Sequence, residues 1–433
     1  MVSQSCTKSW SLNWECRQYR EIKWKPGLEP RKRSLSLIAT LAQFQWHVTV
    51  TFEGSLHPDK MARADKNRRS QDLQNLCLCL DFDRLQLIDN TVTEILIKRE
   101  NDDTPPAFEN DITSPDGILP LKSTPRFGSE YFPVCNELRL CVREDPFRVH
   151  FPVIDCSSYT ATRELSEITK IRQLSAGVHE VCVDNGNNRF VFKEIDNPLY
   201  QPRDSQVLSQ ELRNLQLFQD TKGIVQLVAT VVSRNPYHTF SETSEAYEAY
   251  DSDQSEQSNE THQSHQNTKT APSTVLRGVL LEYHPNGTLA DALQRAGDTP
   301  QLAGTWRRCA IQIMEALARL HQQDVTHMDL KPSNVLISAE SNAVLSDVSG
   351  IGGTTRDYLA PEMLDIPYPL AESKESRICN DIWALGKMFM EMGHASSNDI
   401  EKQQLKSIAQ DATVDNPRSR PSLHDIASFL SNI

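Results

Sequence analysis

Long apolar runs are missing from this chain, and none approaches the ~18 residues that a membrane-spanning helix needs. The opening segment, Met1–Arg20, mixes charged residues with tryptophan and has no apolar signal core. We therefore expect an intracellular protein, cytoplasmic in the first instance, with no membrane partner. Arg31-Lys32-Arg33 is compatible with a nuclear import signal, although a short basic cluster is more often a solvated turn.

Metal-binding cysteine pairs are also missing. The ten cysteines include no C-x-x-C pair and have no histidine-rich partner cluster, which argues against a structural zinc site. Cys77 and Cys79 alternate with leucines over 76–80, a pattern that predicts strand packing. We expect reduced thiols, as is usual inside the cell.

An excess of basic residues is absent too, since the net charge is −13. Such a chain is not expected to bind nucleic acid by neutralising phosphates. Residues 241–260 hold seven acids and no base, within a stretch, 238–274, that is rich in Ser, Glu, Gln and Thr. With almost no large aliphatic side chains, 238–274 is predicted to be a disordered acidic insertion. It is either a plain spacer or a phosphorylated regulatory segment.

The most informative motif that is present is His-Met-Asp-Leu-Lys-Pro-Ser-Asn at 327–334. Asp329 stands two residues before Lys331 and five before Asn334, between a helix-like and a strand-like apolar run. This spacing suits phosphoryl transfer, in which an Asp receives the acceptor hydroxyl and an Asn holds a metal ion. The motif resembles the catalytic loop H-R-D-x-x-x-x-N of eukaryotic protein kinases, with Met328 replacing the arginine.

Companion motifs occur upstream in the expected order. Phe190–Ile195 alternates like a strand with Lys193 on an apolar face, where a lysine is costly unless it meets an anion. Glu211 is the only acid in a helical pattern over 208–218. The resemblance implies that Lys193 holds the α- and β-phosphates of ATP, that Val191 covers the adenine, and that Glu211 pairs with Lys193. A surface lysine and a solvated glutamate are the alternatives.

Downstream, Asp347-Val348-Ser349-Gly350 stands in the place of the D-F-G element. The resemblance implies that Asp347 and Asn334 hold Mg²⁺. Ser349 lacks the positive φ that glycine adopts easily, so the loop is expected to reach its active shape differently or seldom. Three further family elements follow, namely Ala360-Pro361-Glu362, the D-x-W-x-x-G motif from Asp381 and Arg420-Pro421.

Two other motifs of the family, the glycine-rich loop and the hinge, are matched less completely by this sequence. Leu174–Val181 keeps one glycine, Gly177, and Glu180 is expected to bring an acid near the triphosphate and weaken nucleotide binding. An ordinary hairpin without phosphate contact is the alternative. By resemblance, Leu281 is the gatekeeper, and backbone groups of Glu282 and His284 bond the adenine edge.

These motifs predict an α+β fold of the bilobal protein-kinase type over 163–433, with a β-rich N-lobe that contains the insertion and a helical C-lobe. Residues 1–160 carry no such motif and predict a small, mostly-β module of unknown role. Its strand candidates are 44–52, 76–80 and a hairpin of 138–143 with 147–154, while 101–125 reads as a loop.

The resemblance implies a kinase that uses ATP and Mg²⁺ to phosphorylate Ser or Thr of a protein substrate. Asp329 would accept the hydroxyl proton and Lys331 would neutralise the transferring phosphoryl group; Asp-Leu-Lys-Pro-x-Asn is the Ser/Thr pattern. Two alternatives stay open: a pseudokinase that acts as a nucleotide-binding or interaction scaffold, and a kinase-like part that regulates the N-terminal module. Because Met328 removes the arginine clamp, control by phosphorylation of the short segment 347–362 is not expected.

Overall fold

A computed structural model describes residues 11–22, 30, 32–41, 44–54, 56, 65–88, 92–99, 112–118, 138–146, 148–154, 161–184, 186–195, 200–236, 274–295 and 306–431. Contacts divide the chain into two units. The first comprises residues 1–150, 196–200 and 234–273, and the second comprises 151–195, 201–233 and 274–433. No described helix has the length and apolarity required to cross a membrane.

The first unit contains a six-stranded sheet in the order β1-β2-β3-β4-β6-β5. Its strands are β1 (Ser11–Ile22), β2 (Lys32–Leu41), β3 (Phe44–Glu53), β4 (Thr93–Arg99), β5 (Ile112–Ile118) and β6 (Leu138–Glu144). All pairs are antiparallel except β3 with β4, which are parallel because helix α1 (Lys66–Cys79) connects them. The mostly-β character predicted for this region is confirmed.

The strand predicted at 76–80 is wrong, because these residues end helix α1. Leu73, Leu76 and Cys77 are buried against the sheet at helical spacing, whereas Leu78 is 48% exposed. The Asp65 carboxylate accepts from the backbone N–H of Asn67 and Arg68 and so caps the helix. A short run of consecutive apolar residues fits strand and helix alike, and only the polar residues upstream distinguish them.

The hairpin predicted from 138–143 and 147–154 is also wrong. β6 pairs with β4 and β5, which come earlier in the chain. The described residues 148–154 form no strand, and the segment from Phe151 onward belongs to the second unit. Within the predicted loop 101–125, Ile112–Ile118 is a strand, and the other residues lie outside the described ones. Sequence-distant pairing of this kind leaves no local turn signal.

The second unit begins with a six-stranded sheet in the order β7-β11-β12-β10-β9-β8. Its elements are β7 (Thr162–Glu164), β8 (Ile168–Ser175), β9 (Val178–Val183), β10 (Phe190–Glu194), helix α2 (Pro202–Leu217), β11 (Leu227–Arg234) and β12 (Thr274–Glu282). The insertion predicted at 238–274 lies outside the described residues, apart from Thr274 at the start of β12.

A short segment before β7 also packs on this sheet. The Leu276 backbone N–H donates to the Pro152 carbonyl at 2.8 Å, Val153 forms a bridge with Val275, and the Arg277 guanidinium lies 4.2 Å from the centre of the Phe151 ring. The second unit thus starts at Phe151, earlier in the chain than the motifs indicate.

Helices dominate the rest of the second unit. The elements are α3 (Leu289–Arg295), α4 (Trp306–Gln322), β13 (Val335–Ile337), β14 (Ala343–Leu345), α5 (Lys374–Ala395), α6 (Asp399–Ala412) and α7 (Leu423–Ser431). Their apolar faces form one core, whose centre includes Leu317 and Phe389. A β-rich half followed by a helical half confirms the predicted fold class.

Candidate active site

The residues of the 327–334 motif form one hydrogen-bonded cluster. The Asp329 carboxylate accepts from Thr355 Oγ1 at 2.6 Å, from Lys331 Nζ at 2.7 Å and from Asn334 Nδ2 at 3.2 Å. Asn334 Nδ2 also donates to the Asp329 carbonyl at 2.8 Å, and Lys331 Nζ donates to Thr355 Oγ1 at 2.8 Å. Asp329 is therefore an oriented carboxylate whose negative charge is balanced by one ammonium.

A buried carboxylate binds the backbone of this loop. Asp381, which is fully buried, accepts from the backbone N–H groups of His327 and Met328, each at 2.8 Å. Its Oδ2 also lies 2.8 Å from Nε2 of His321. Met328 has φ of 65°, an unfavourable value for a non-glycine residue, and these charge-assisted bonds stabilise it.

A second polar cluster joins three elements. Lys193 Nζ, on β10, donates to Glu211 of α2 at 2.8 Å and to Asp347, which follows β14. Burial raises the pKa of Glu211, which is 1% exposed, and the charge of Lys193 opposes this rise. The Lys193 ammonium lowers the pKa of Asp347, and the positive charge of Lys331 contributes in the same direction. The two clusters thus influence each other electrostatically.

The loop after Asp347 adopts its shape without a positive φ at Ser349. Positive φ values occur at Asp347 (58°) and Gly350 (70°), but not at Ser349. A Cβ on Gly350 would lie 2.6 Å from the Thr326 carbonyl oxygen, so glycine is required there. Val348 is completely buried in the core of the unit. Compared with the D-F-G pattern, the glycine that this loop requires stands one position later in the chain.

The glycine-poor segment is a tight β-hairpin. Ser175 of β8 pairs with Val178 of β9, so only Ala176 and Gly177 (φ 67°) form the turn. The Gly177 carbonyl accepts from the N–H of Glu194, the residue after Lys193, at 2.8 Å. This bond places Gly177 beside the strand that carries Lys193.

Glu180 lies on the same sheet face as Val191, because the two residues are directly opposite in register. The Glu180 carboxylate, in a residue that is 9% exposed, accepts from Arg172 Nη2 at 2.7 Å. Sequence reasoning missed Arg172 as a partner, because the contact depends on the strand register. The acid is therefore paired with a base on the neighbouring strand.

The residues predicted for the hinge lie at the end of β12. Leu281 is buried and pairs in register with Val191. The Glu282 backbone N–H donates to the Gln226 carbonyl at 3.2 Å, and its side chain lies 3.0 Å from His284 Nε2. Leu281 thus lies on the same sheet face as Val191, whereas the side chain of Glu282, which is opposite Phe190, lies on the other face.

A bidentate ion pair anchors the segment after Asp347. Arg420 donates to both Glu362 oxygens, at 2.6 and 2.7 Å, and its guanidinium lies 4.9 Å from the centre of the Trp383 ring. Asn380, which the motif search missed, accepts from the Ala360 N–H at 2.9 Å, and its Nδ2 lies 4.0 Å from the sulfur of Met328. No sequence signal marks Asn380 apart from its position next to Asp381.

Comparisons with known proteins agree with these motifs. The family model described as the protein kinase domain matches residues 174–431. The chain is 27% identical over 166 residues to the serine/threonine-protein kinase KSP1 of Saccharomyces cerevisiae, which covers 35% of this chain and 16% of KSP1. It is 34% identical over 122 residues to a probable serine/threonine-protein kinase of Dictyostelium discoideum (26% of this chain and 23% of that protein).

A third relative is the mitogen-activated protein kinase kinase 7 of Arabidopsis thaliana, 32% identical over 130 residues (27% of this chain and 40% of that protein). In each of these three curated relatives, the match spans less than half of the relative's length.

Proposed function

The chain belongs to the protein kinase domain family, and on this basis we propose that it transfers the γ-phosphoryl group of ATP to Ser or Thr hydroxyls of a protein substrate. The observation that supports this most is the bonded cluster of Asp329, Lys331, Asn334 and Thr355. Phosphoryl transfer depends mainly on positioning and on charge stabilisation, and this cluster supplies both.

In this proposal Asp329 orients the acceptor hydroxyl and takes its proton. Thr355 donates to Oδ1 and Lys331 donates to Oδ2, and the two bonds together fix the direction of the carboxylate. As negative charge shifts between donor and acceptor oxygens, the Lys331 ammonium stabilises it. Lys331 also belongs to the Asp-Leu-Lys-Pro pattern, which supports Ser/Thr over Tyr as the acceptor.

Lys193 is proposed to hold the α- and β-phosphates, and Glu211 to position Lys193. Burial lowers the pKa of Lys193, but the attraction of Asp347 and Glu211 outweighs this effect, so the pKa is raised and the ammonium stays charged.

Val191 and Leu281, neighbours on one sheet face, would cover the adenine, with backbone groups of Glu282 and His284 at its edge. Gly177 offers a backbone turn beside the phosphates.

Mg²⁺ fits the donor set of this site. Among the described residues no three His, Cys, Asp or Glu side chains converge on one point. Mg²⁺ bound with a nucleotide, however, needs only one or two protein oxygens besides phosphate and water. The Asp347 carboxylate and Oδ1 of Asn334, whose Nδ2 is bonded to Asp329, would provide them. The ion would neutralise charge on the phosphates.

The decisive experiment measures transfer from γ-labelled ATP by the full chain, using peptides that contain Ser or Thr and peptides that contain only Tyr. Asp329→Asn should lower kcat by about 10²–10⁴-fold, the usual contribution of a general base, with an unchanged thermal transition. Asp411→Asn, an exposed helix position, is the matched control. Equal activity of the Asp329 variant would refute its role, and transfer to Tyr alone would refute the acceptor class.

Two observations favour a second candidate, a pseudokinase scaffold. Glu180 puts a carboxylate beside Val191, on the face proposed for adenine, and the tight turn offers few amides for phosphate. If the full chain binds Mg-ATP in calorimetry but transfers no label to any peptide, this candidate replaces the first.

A further inference from the structure

Asn214 makes a buried polar contact that joins helix α2 to the loop after Asp347. The residue is 4% exposed, and Nδ2 donates to the carbonyl oxygens of Val348 at 2.7 Å and Ser349 at 3.2 Å. Its Oδ1 accepts from Nε2 of Gln210, one turn earlier on the helix, at 2.9 Å. Every polar atom of the Asn214 amide group thus has a partner, and the bond from Gln210 fixes which way the amide points.

The bonded groups of the loop are backbone carbonyls. The contact therefore does not depend on the side chains at 348 and 349, which differ from the Phe and Gly of the family pattern. Buried carbonyls that lose their donor are costly, so the loop has one strongly preferred position against the helix.

Other contacts of α2 with this part of the chain lie on the same helix face. Arg203 Nη2 donates to the Ile351 carbonyl, and a Cβ on Gly352 would meet Val207 Cγ1 at 3.4 Å. Glu211, three residues before Asn214, bonds Lys193. Positions 203, 207, 211 and 214 follow the i, i+4, i+8, i+11 spacing of one face. A shift of the loop would therefore have to be accompanied by a shift of the helix.

We infer that Asn214 is a positioning residue that couples the Lys193–Glu211 pair to the Asp347 loop, so that the two sit in their bonded arrangement without any modification of the chain. Its catalytic consequence rests on the proposed phosphotransfer; its structural consequence does not. The inference explains how a loop with Val348 and Ser349 keeps Asp347 directed at Lys193.

The test is amide hydrogen exchange of residues 347–352 in the full chain. Asn214→Leu keeps the size of the side chain and removes both donors. Loop exchange should become about tenfold faster, as expected for losing a buried hydrogen bond to the loop. Arg213→Leu, at the exposed neighbouring position, is the control and should exchange like the wild type. Unchanged exchange in Asn214→Leu overturns the inference, and so does an equal acceleration in helix α4, because that would mean a general loss of stability.

Gln210→Glu provides a second, milder variant in case Asn214→Leu folds poorly. A carboxylate at 210 would face Oδ1 of Asn214, so the amide either turns away from the loop or keeps two acceptors in contact. Exchange of 347–352 should rise about threefold, less than in Asn214→Leu, because the loop bond is weakened rather than removed. In the Asn214→Leu background Gln210→Glu should have no further effect; an additive effect would show that Gln210 acts on the loop independently.

Kinetics separate this inference from the proposed function. If the wild type transfers phosphate, Asn214→Leu should lower kcat about tenfold and leave the KM for the peptide unchanged, since no peptide contact is involved. If the wild type transfers none, the proposed function fails while the exchange measurement still decides the role of Asn214. A wild-type kcat in a variant with faster loop exchange would overturn the coupling.

Discussion

The loop of residues 327–334 and the β8–β9 hairpin belong to the same proposed site but differ in how they are built. In the loop, Asp329 has three side-chain partners, and Asp381 holds two of the loop's N–H groups. In the hairpin, one glycine and a two-residue turn remain, and Glu180 with Arg172 occupies the sheet face beside Val191. In the proposed site, a side chain that takes a proton needs a fixed geometry, whereas a shorter backbone turn is expected to cost nucleotide affinity.

The largest effect is expected from breaking the support of the loop. Asp381→Asn removes one acceptor and places an amide N–H against a buried backbone N–H. The free energy of unfolding should fall by about 2–3 kcal/mol, because a buried donor loses a charge-assisted bond. Urea denaturation of this variant beside Asp411→Asn measures the difference. A change as small as that of Asp411→Asn would mean that the loop does not depend on Asp381.

A smaller effect is expected from adding charge to the loop. Thr355→Glu replaces a donor to Asp329 with a second carboxylate, so transfer should fall by about tenfold or more through like-charge repulsion at close range. Thr354→Glu adds the same charge one residue earlier and should have little effect. Treatment with phosphatase should leave wild-type activity unchanged. Loss of activity on dephosphorylation, restored in Thr355→Glu, would instead mean that a base elsewhere receives a phosphate.

The smallest effect is expected in the hairpin. Glu180→Gln removes the acid beside Val191 and leaves the positive charge of Arg172 without its carboxylate partner. Because solvent screens the charge of Glu180, its removal should tighten Mg-ATP binding only about threefold, as measured by calorimetry. Glu375→Gln, an exposed position on helix α5, serves as the control. Weaker binding in Glu180→Gln would assign the carboxylate a direct contact with the nucleotide.

The same contrast explains what the sequence could predict. Asp329, Lys331 and Asn334 sit at fixed short spacing, so their proximity follows from the chain itself. The helix that carries Glu211 was predictable because its leucines repeat at helical intervals. Lys193 lies on one short apolar strand and Asp347 follows another, and both strands are visible in the sequence.

What could not be predicted depends on contacts between distant segments. Arg172 pairs with Glu180 through a strand register, and Asn214 and Asn380 bond backbone groups far along the chain. In the first unit, an apolar run of five residues predicts a strand, but in the structure it forms the end of helix α1. Single-sequence patterns specify periodicity and spacing, but not which partner a buried polar side chain will meet.

The segment that begins at Phe151 has a practical consequence for anyone who wants to express the second unit alone. A fragment that begins at residue 174, where the family match starts, would lose the Pro152 carbonyl that Leu276 bonds, the ring beneath Arg277 and all of β7. β11 would then present an unpaired edge, and such edges promote association between copies. The useful cloning boundary therefore lies upstream of Phe151.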